Sequence, residues 1–227
     1  MPSPNIAIAA LLFAATAPTP PPGPERLERM LEDWQRGEYA TAFAALDGEA
    51  RSCGAQLEPW CALFLGQALF YVGQFEKAAA QSAAARALDP MGPVGRRALG
   101  REGEALLSAG RLEAAEARLA EAVAATPAAE TLLLLGDARA RRGQPKTARV
   151  AWRRAYLEFA GEPASGVAGE RIAASGGLTV EELSTRSERL LRKGLAAEAL
   201  EAAQLARERA TEGERVETLL AVGKALA

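Results

Sequence analysis

Gly73-Gln74-Phe75-Glu76-Lys77-Ala78 is a phrase that this chain of 227 residues repeats. A glycine, one residue, an aromatic or aliphatic residue, two residues and an alanine recur at Gly37-Glu38-Tyr39-Ala40-Thr41-Ala42, Gly110-Arg111-Leu112-Glu113-Ala114-Ala115 and Gly194-Leu195-Ala196-Ala197-Glu198-Ala199. Gly143-Gln144-Pro145-Lys146-Thr147-Ala148 keeps the frame but puts Pro145 at the apolar position. Successive glycines lie 36, 37, 33 and 51 residues apart. Glycine enters the left-handed conformation that ends one helix and lets the chain reverse into the next, so each phrase predicts the elbow of a helical hairpin. The alanine five residues on falls where the second helix meets the first, and only a small side chain lets the two backbones approach closely. A period of this length predicts stacked hairpins rather than one closed core.

Composition supports helices. Ala, Leu, Glu and Arg dominate, aromatics make up 5%, and glycine and proline punctuate rather than cluster. The formal net charge of -2 supplies no global positive field for nucleic acid or an anionic membrane. Histidine is absent, which removes the usual general base, the commonest metal ligand and the serine–histidine and cysteine–histidine nucleophile systems. Gly143-Gln144-Pro145-Lys146-Thr147 lacks the spacing of a phosphate loop. Glu113, Glu116, Glu121, Glu198 and Glu201 fall on helix faces expected to be solvated. The expectation is a protein without catalytic residues, metal or cofactor.

The surrounding residues resemble the tetratricopeptide family, whose hairpins carry a small residue in the first helix, the elbow glycine, the alanine and a closing proline. The second hairpin supplies Leu65, Gly66, Gly73, Phe75, Ala78, Ala85 and Pro90. The third supplies Gly103, Gly110, Ala115, Leu119, Ala122 and Pro127, and the fourth Leu135, Gly136, Gly143, Ala148, Trp152 and Ala155. Met30 and Ser187 replace the small glycine in the first and fifth. The resemblance implies an all-α α-solenoid of about five antiparallel helical hairpins in a right-handed superhelix. Hairpins one to four occupy 25–160, and 179–227 holds the fifth hairpin and a terminal capping helix that begins after Gly213.

An irregular insertion with a short helix occupies 161–178, ahead of the capping box Thr179-Val180-Glu181-Glu182. With the preceding Tyr156 and Phe159, Pro163 and Ser165 form a joint similar to those of bacterial periplasmic tetratricopeptide proteins, such as the helical arm that precedes the catalytic domain of soluble lytic transglycosylases. Arg189-Leu190-Leu191-Arg192-Lys193-Gly194 extends that similarity. The glutamate-centred catalytic motif of those enzymes is not in this chain.

The apolar run Ile6–Ala15, followed by Ala15-Thr16-Ala17, reads as an export signal over residues 1–17, although no Lys or Arg precedes it and Pro18 follows. Residues 18–24 form a proline-rich linker. No later stretch has the length and apolarity of a membrane span. Cys53 and Cys61 either close a short loop as a disulfide, in an oxidising compartment, or are two buried thiols. The expected setting is periplasmic or secreted, and cytoplasmic if the apolar run is not a signal.

From Arg139 to Arg154 the chain carries seven basic residues and no acid. They make either an anion site or, the favoured alternative, helix-end cations neutralised in part by glutamates of the third hairpin. In such a solenoid the first helix of each hairpin lines the concave wall. That register selects Trp34, Leu63, Gln67, Phe70, Tyr71, Arg97, Glu104 and Arg141 as protein- or peptide-binding candidates, with packing between hairpins as the competing role of the large ones. The adaptors of the family that grip chaperone C-termini use paired asparagines and lysines, whereas the only asparagine here is Asn5. The function expected is a non-catalytic scaffold for protein partners in the bacterial cell envelope. The alternative is a catalytically silent, cell-wall-associated relative of the transglycosylase arms that binds peptidoglycan or a wall enzyme.

Overall fold

The computed structural model describes residues 24–38, 41 and 55–226. Among them are eleven helices and no strand: α1 (Pro24–Gln35), α2 (Glu58–Tyr71), α3 (Phe75–Leu88), α4 (Pro93–Ser108), α5 (Leu112–Ala125), α6 (Ala129–Arg141), α7 (Pro145–Glu158), α8 (Pro163–Ala174), α9 (Val180–Arg192), α10 (Ala196–Arg209) and α11 (Arg215–Leu226). Helices α2/α3, α4/α5, α6/α7 and α9/α10 form antiparallel hairpins, and the second helix of one packs on the first helix of the next from α3 to α7. The molecule is an α-solenoid.

All five elbow glycines have left-handed backbone, with φ of 77° at Gly37, 79° at Gly73, 77° at Gly110, 76° at Gly143 and 75° at Gly194. At each, the N–H of the following residue donates to the carbonyl five residues back: Glu38 to Asp33, Gln74 to Leu69, Arg111 to Leu106, Gln144 to Arg139 and Leu195 to Leu190, all at 2.9–3.0 Å. That bond satisfies a helix-end carbonyl only when the intervening residue is left-handed. Ala78, Ala115, Ala148 and Ala199 are all buried at 1% exposure or less, and Ala42 lies outside the described residues.

The facing positions on the first helices show how close the backbones come. A methyl group at Gly103 would meet Leu119 Cγ at 2.6 Å, and one at Gly136 would meet Trp152 Nε1 at 2.2 Å. The departure at Ser187 keeps this logic by a different route. Its buried hydroxyl donates to the carbonyl of Ala199 at 2.8 Å, so the added atoms are bonded rather than crowded.

The segment 161–178 contains α8, a full helix of twelve residues that packs on α7 and α6. Ala168 and Ile172 join the apolar core that includes Leu119, Leu132, Trp152 and Tyr156. Gly169 lets Tyr156 lie flat on α8, since a Cβ there would meet its ring at 2.7 Å. The chain leaves α8 through Gly176 and Gly177 (φ 121° and 81°). The capping box then restarts it: Thr179 Oγ1 accepts from the Glu182 N–H at 3.1 Å, and the Thr179 N–H donates to Glu182 Oε2 at 2.6 Å.

Helix α9 does not form a hairpin with α8 but lies against α7, and cations hold it there. Arg186 donates to the carbonyl of Tyr156 at 2.7 Å, Arg189 to that of Leu157, and Lys193 to that of Ala160 at 2.7 Å. The first two carbonyls belong to the last turn of α7 and the third lies two residues beyond it, where the backbone has no further helical donors and the dipole favours positive charge. The Arg186 guanidinium also sits 4.0 Å from the Tyr156 ring centroid. Burial lowers the Arg186 pKa and raises that of the Tyr156 phenol, each away from its charged form.

Three glycine-to-alanine variants separate these roles by urea unfolding. Gly136→Ala, which must displace Trp152, is expected to lose about 2 kcal/mol. Gly110→Ala, with open space but left-handed backbone, should lose about 1 kcal/mol. Gly166→Ala, in an ordinary helical position with nothing within 4 Å, should gain about 0.5 kcal/mol.

Candidate functional site

Helices α2, α4 and α6 present a continuous groove. Its narrow end is a small pocket of about 20 Å³ walled by Gln67, Phe70 and Tyr71 from α2 and by Arg101 and Glu104 from α4. Phe70 is fixed by edge contacts with Phe75 (5.2 Å) and Tyr71 (6.0 Å), and Tyr71, 57% exposed, meets Trp34 edge-on at 5.1 Å. Ser82 lies at the pocket's base. It is 1% exposed, and its hydroxyl has no hydrogen-bond partner among the described residues.

The wide end is a depression of about 510 Å³ between α4 and α6, lined by residues that include Arg97, Gly100, Thr131 and Leu134. Arg101 and Glu104 line both ends and so connect them. Arg101 donates to Glu104 at 2.6 Å and to Glu130 at 3.3 Å. Burial works against its charge, but the two carboxylates outweigh that and hold its pKa above the ordinary guanidinium value. Arg96 is tied to the Met91 carbonyl at 2.7 Å. Arg97 is exposed and bonds to none of the described residues.

Of the eight positions selected from the sequence, Gln67, Phe70, Tyr71, Arg97 and Glu104 line this groove, and Trp34 braces its rim through Tyr71. Leu63 does not. It is wholly buried in the seam with Ala85, Val94 and Ala98, because its side of α2 faces α3 and α4 rather than the groove. Arg141 is also removed from it: the last turn of α6 lies beside the end of α4, and its guanidinium caps the Leu107 carbonyl at 2.9 Å. Arg101 and Ser82 are among the lining residues that the sequence did not point to. Arg101 stands one helical turn after Arg97 and was within reach of the periodicity; Ser82, on a second helix, carried no signal.

The basic block from Arg139 to Arg154 is largely consumed inside the fold. Arg139 and Arg142 both pair with Glu116 of the third hairpin, and Gln144 donates to the same carboxylate at 3.4 Å. Arg149 donates to the carbonyls of Ile172, Ser175 and Gly177, and Arg154 pairs with Glu158. Arg153 lies against Glu182 Oε1 as an ion pair without hydrogen-bond geometry. Glu116 is therefore the hub of a cluster between hairpins, not a residue of a solvated face. Cys61 is wholly buried beside Leu65 and Ala79 and is not a free thiol, while Cys53 lies outside the described residues.

Partial burial opposes ionisation of Glu116, but its hydrogen bonds from Arg142 and Arg139 prevail and hold its pKa below the ordinary 4.5. A carboxyl depressed on folding stabilises above its unfolded pKa and loses that contribution as pH falls through the folded one. Glu116→Gln should therefore cost about 1 kcal/mol at neutral pH, and the deficit should close as the pH is lowered from 5 toward 3 in paired urea titrations.

No protein-family model and no curated protein matches the sequence. Among solved structures, the chain is similar to MamA 41-end from Desulfovibrio magneticus RS-1, at 20% identity and a TM-score of 0.51, over 81% of this chain and 92% of that one. The RS-1 MamA ArsTM double mutant gives 21% identity and a TM-score of 0.51, over 85% and 94%. A thermophilic TPR protein of Thermus thermophilus, TTC0263, aligns at 20% identity and a TM-score of 0.45, over 88% and 97%. At these identities the likeness to MamA concerns architecture, and it agrees with the helical repeat solenoid built up from the glycine elbows.

Proposed function

We propose that this chain is a non-catalytic scaffold that holds an extended segment of a partner protein in the groove of α2, α4 and α6. The observation that carries this reading is the continuity of the groove through the Arg101–Glu104 pair. On one side of that pair stand an aromatic wall and an unpaired hydroxyl; on the other stands Arg97, with no partner among the described residues. A chain laid across the three helices meets an apolar anchor point, two polar groups at fixed positions and a free cation, which is the mixture that orients peptides.

The test is selection of peptides from a displayed library on the full chain, followed by titration against variants. Tyr71→Ala together with Arg97→Glu should weaken the selected peptides by about tenfold or more, with the helical spectrum unchanged. Equal binding by the double variant sinks the groove assignment.

We also propose an exported setting, periplasmic in a bacterium with two membranes. The apolar run Ile6–Ala15 with its Ala15-Thr16-Ala17 site supports it, as does a Cys61 that is not a free thiol. A Cys53–Cys61 bond follows from that setting. N-terminal sequencing of fractionated cells should find the protein outside the cytoplasm and shortened by about 17 residues. An intact Met1 in the cytosolic fraction refutes export.

A further inference from the structure

A second surface, sharing no residue with the groove, lies where α9 passes the C-terminal half of α7. On α7, Val150, Arg153, Arg154 and Leu157 follow the i, i+3, i+4, i+7 spacing that puts them on one face. On α9, Arg189 and Arg192 follow the same rule, and Lys193 caps that helix. Two neighbouring depressions, of about 230 and 340 Å³, open between these faces and share Glu158 and Arg189.

The charge here is not neutralised as it is in the rest of the basic block. Arg189, Arg192 and Lys193 spend their donors on the carbonyls of Leu157, Glu188 and Ala160, which accept hydrogen bonds but carry no formal charge. Of the five cations lining the depressions, Arg153 and Arg154 alone have carboxylate partners among the described residues, Glu182 and Glu158. The strip therefore keeps a surplus of three positive charges on a chain whose formal total is -2. Val150, 56% exposed, and the half-buried Leu157 give it an apolar floor between the cations.

We infer that this strip docks an acidic segment of a protein partner, one that carries apolar residues among its carboxylates. Charge complementarity selects the acidic class. The exposed valine and half-buried leucine select a polypeptide over a purely anionic polymer, because they give an apolar side chain a place to bury that a phosphate chain cannot use. The cations are also held in place before binding: the carbonyls fix Arg189 and Lys193, so little rotamer freedom remains to be lost on contact.

The experiment titrates the full chain with a fluorescent dodecapeptide of glutamate-glutamate-leucine repeats and with its glutamate-glutamate-serine counterpart. Inorganic polyphosphate serves as a competitor. Arg154→Glu with Arg192→Glu removes two cations that do not tie α9 to α7, whereas Arg111→Glu with Arg207→Glu makes the same change in net charge outside both depressions. The leucine peptide should bind more tightly than the serine peptide. Its affinity should drop about tenfold or more in the first double variant and stay within about twofold in the second. Should the reversed variant lose its helical spectrum, Arg154→Gln with Arg192→Gln keeps the comparison, with a smaller loss in the same direction. Three results overturn the inference: no binding of the leucine peptide at low salt, equal losses in both double variants, or polyphosphate binding more tightly than the peptide through the same two arginines. The last result would assign the strip to an anionic polymer.

Discussion

Two stacked helices can lie no closer than their bulkiest facing side chains allow, and here that thickness is set by glycines of the first helices, Gly66, Gly103 and Gly136, pressed against Ser82, Leu119 and Trp152 of the second. The left-handed elbow and the close seam act together. The elbow bond to the carbonyl five residues back fixes the direction of the returning helix, and that direction brings Leu119 against Gly103 and Trp152 against Gly136. A relaxed elbow would leave Gly103 and Gly136 facing gaps, and a widened seam would pull the elbow bond apart. The groove inherits its width from the same constraint, because Phe70, Tyr71, Arg101 and Glu104 sit on helices whose separation the seams have already decided.

The second organising principle is polar. Where the repeat spacing stretches from 33 to 51 residues, α8 fills the position of a next first helix, yet no second helix follows it in register. The chain instead sets α9 across the end of α7 and joins them by guanidinium and ammonium groups on exposed helix-end carbonyls. The arrangement serves both sides: α7 gains donors for carbonyls that would otherwise lack them, and α9 gains a fixed position without a wide apolar face. Arg186 shows the limit of such a joint, since burial beside Tyr156 costs it solvation that the ring and two oxygens return only in part, and its pKa stays below the ordinary guanidinium value.

The architecture was legible in the sequence because glycine at a left-handed position has almost no substitute, so five elbows announce themselves without any structure. The groove was legible in part. Helical periodicity separates the faces of α2 well enough to find Gln67, Phe70 and Tyr71, but it does not say which face a neighbouring hairpin will cover, and Leu63 was lost to that ambiguity. Arginines were harder still. Arg141, Arg149 and Arg189 find their partners on backbone carbonyls from 23 to 34 residues away, and a carbonyl leaves no trace in the identity of the residue that carries it. The glutamate at 116 could be named as a neutralising residue of the third hairpin, but its place at the centre of a three-donor cluster belongs to the packing angle between hairpins.

Long stems ending in hydrogen-bond donors behave differently from interlocked alanines. A rotation of a few degrees between α7 and α9 leaves Arg186, Arg189 and Lys193 able to follow their oxygens, whereas the same rotation at the Gly136–Trp152 seam would open a void or force a collision. The joint between α7 and α9 is not made of tethers alone: Leu190 packs on Ala160, and a Cβ on Gly161 would meet Leu195 at 2.4 Å, so apolar contact also limits how far the trailing hairpin can turn.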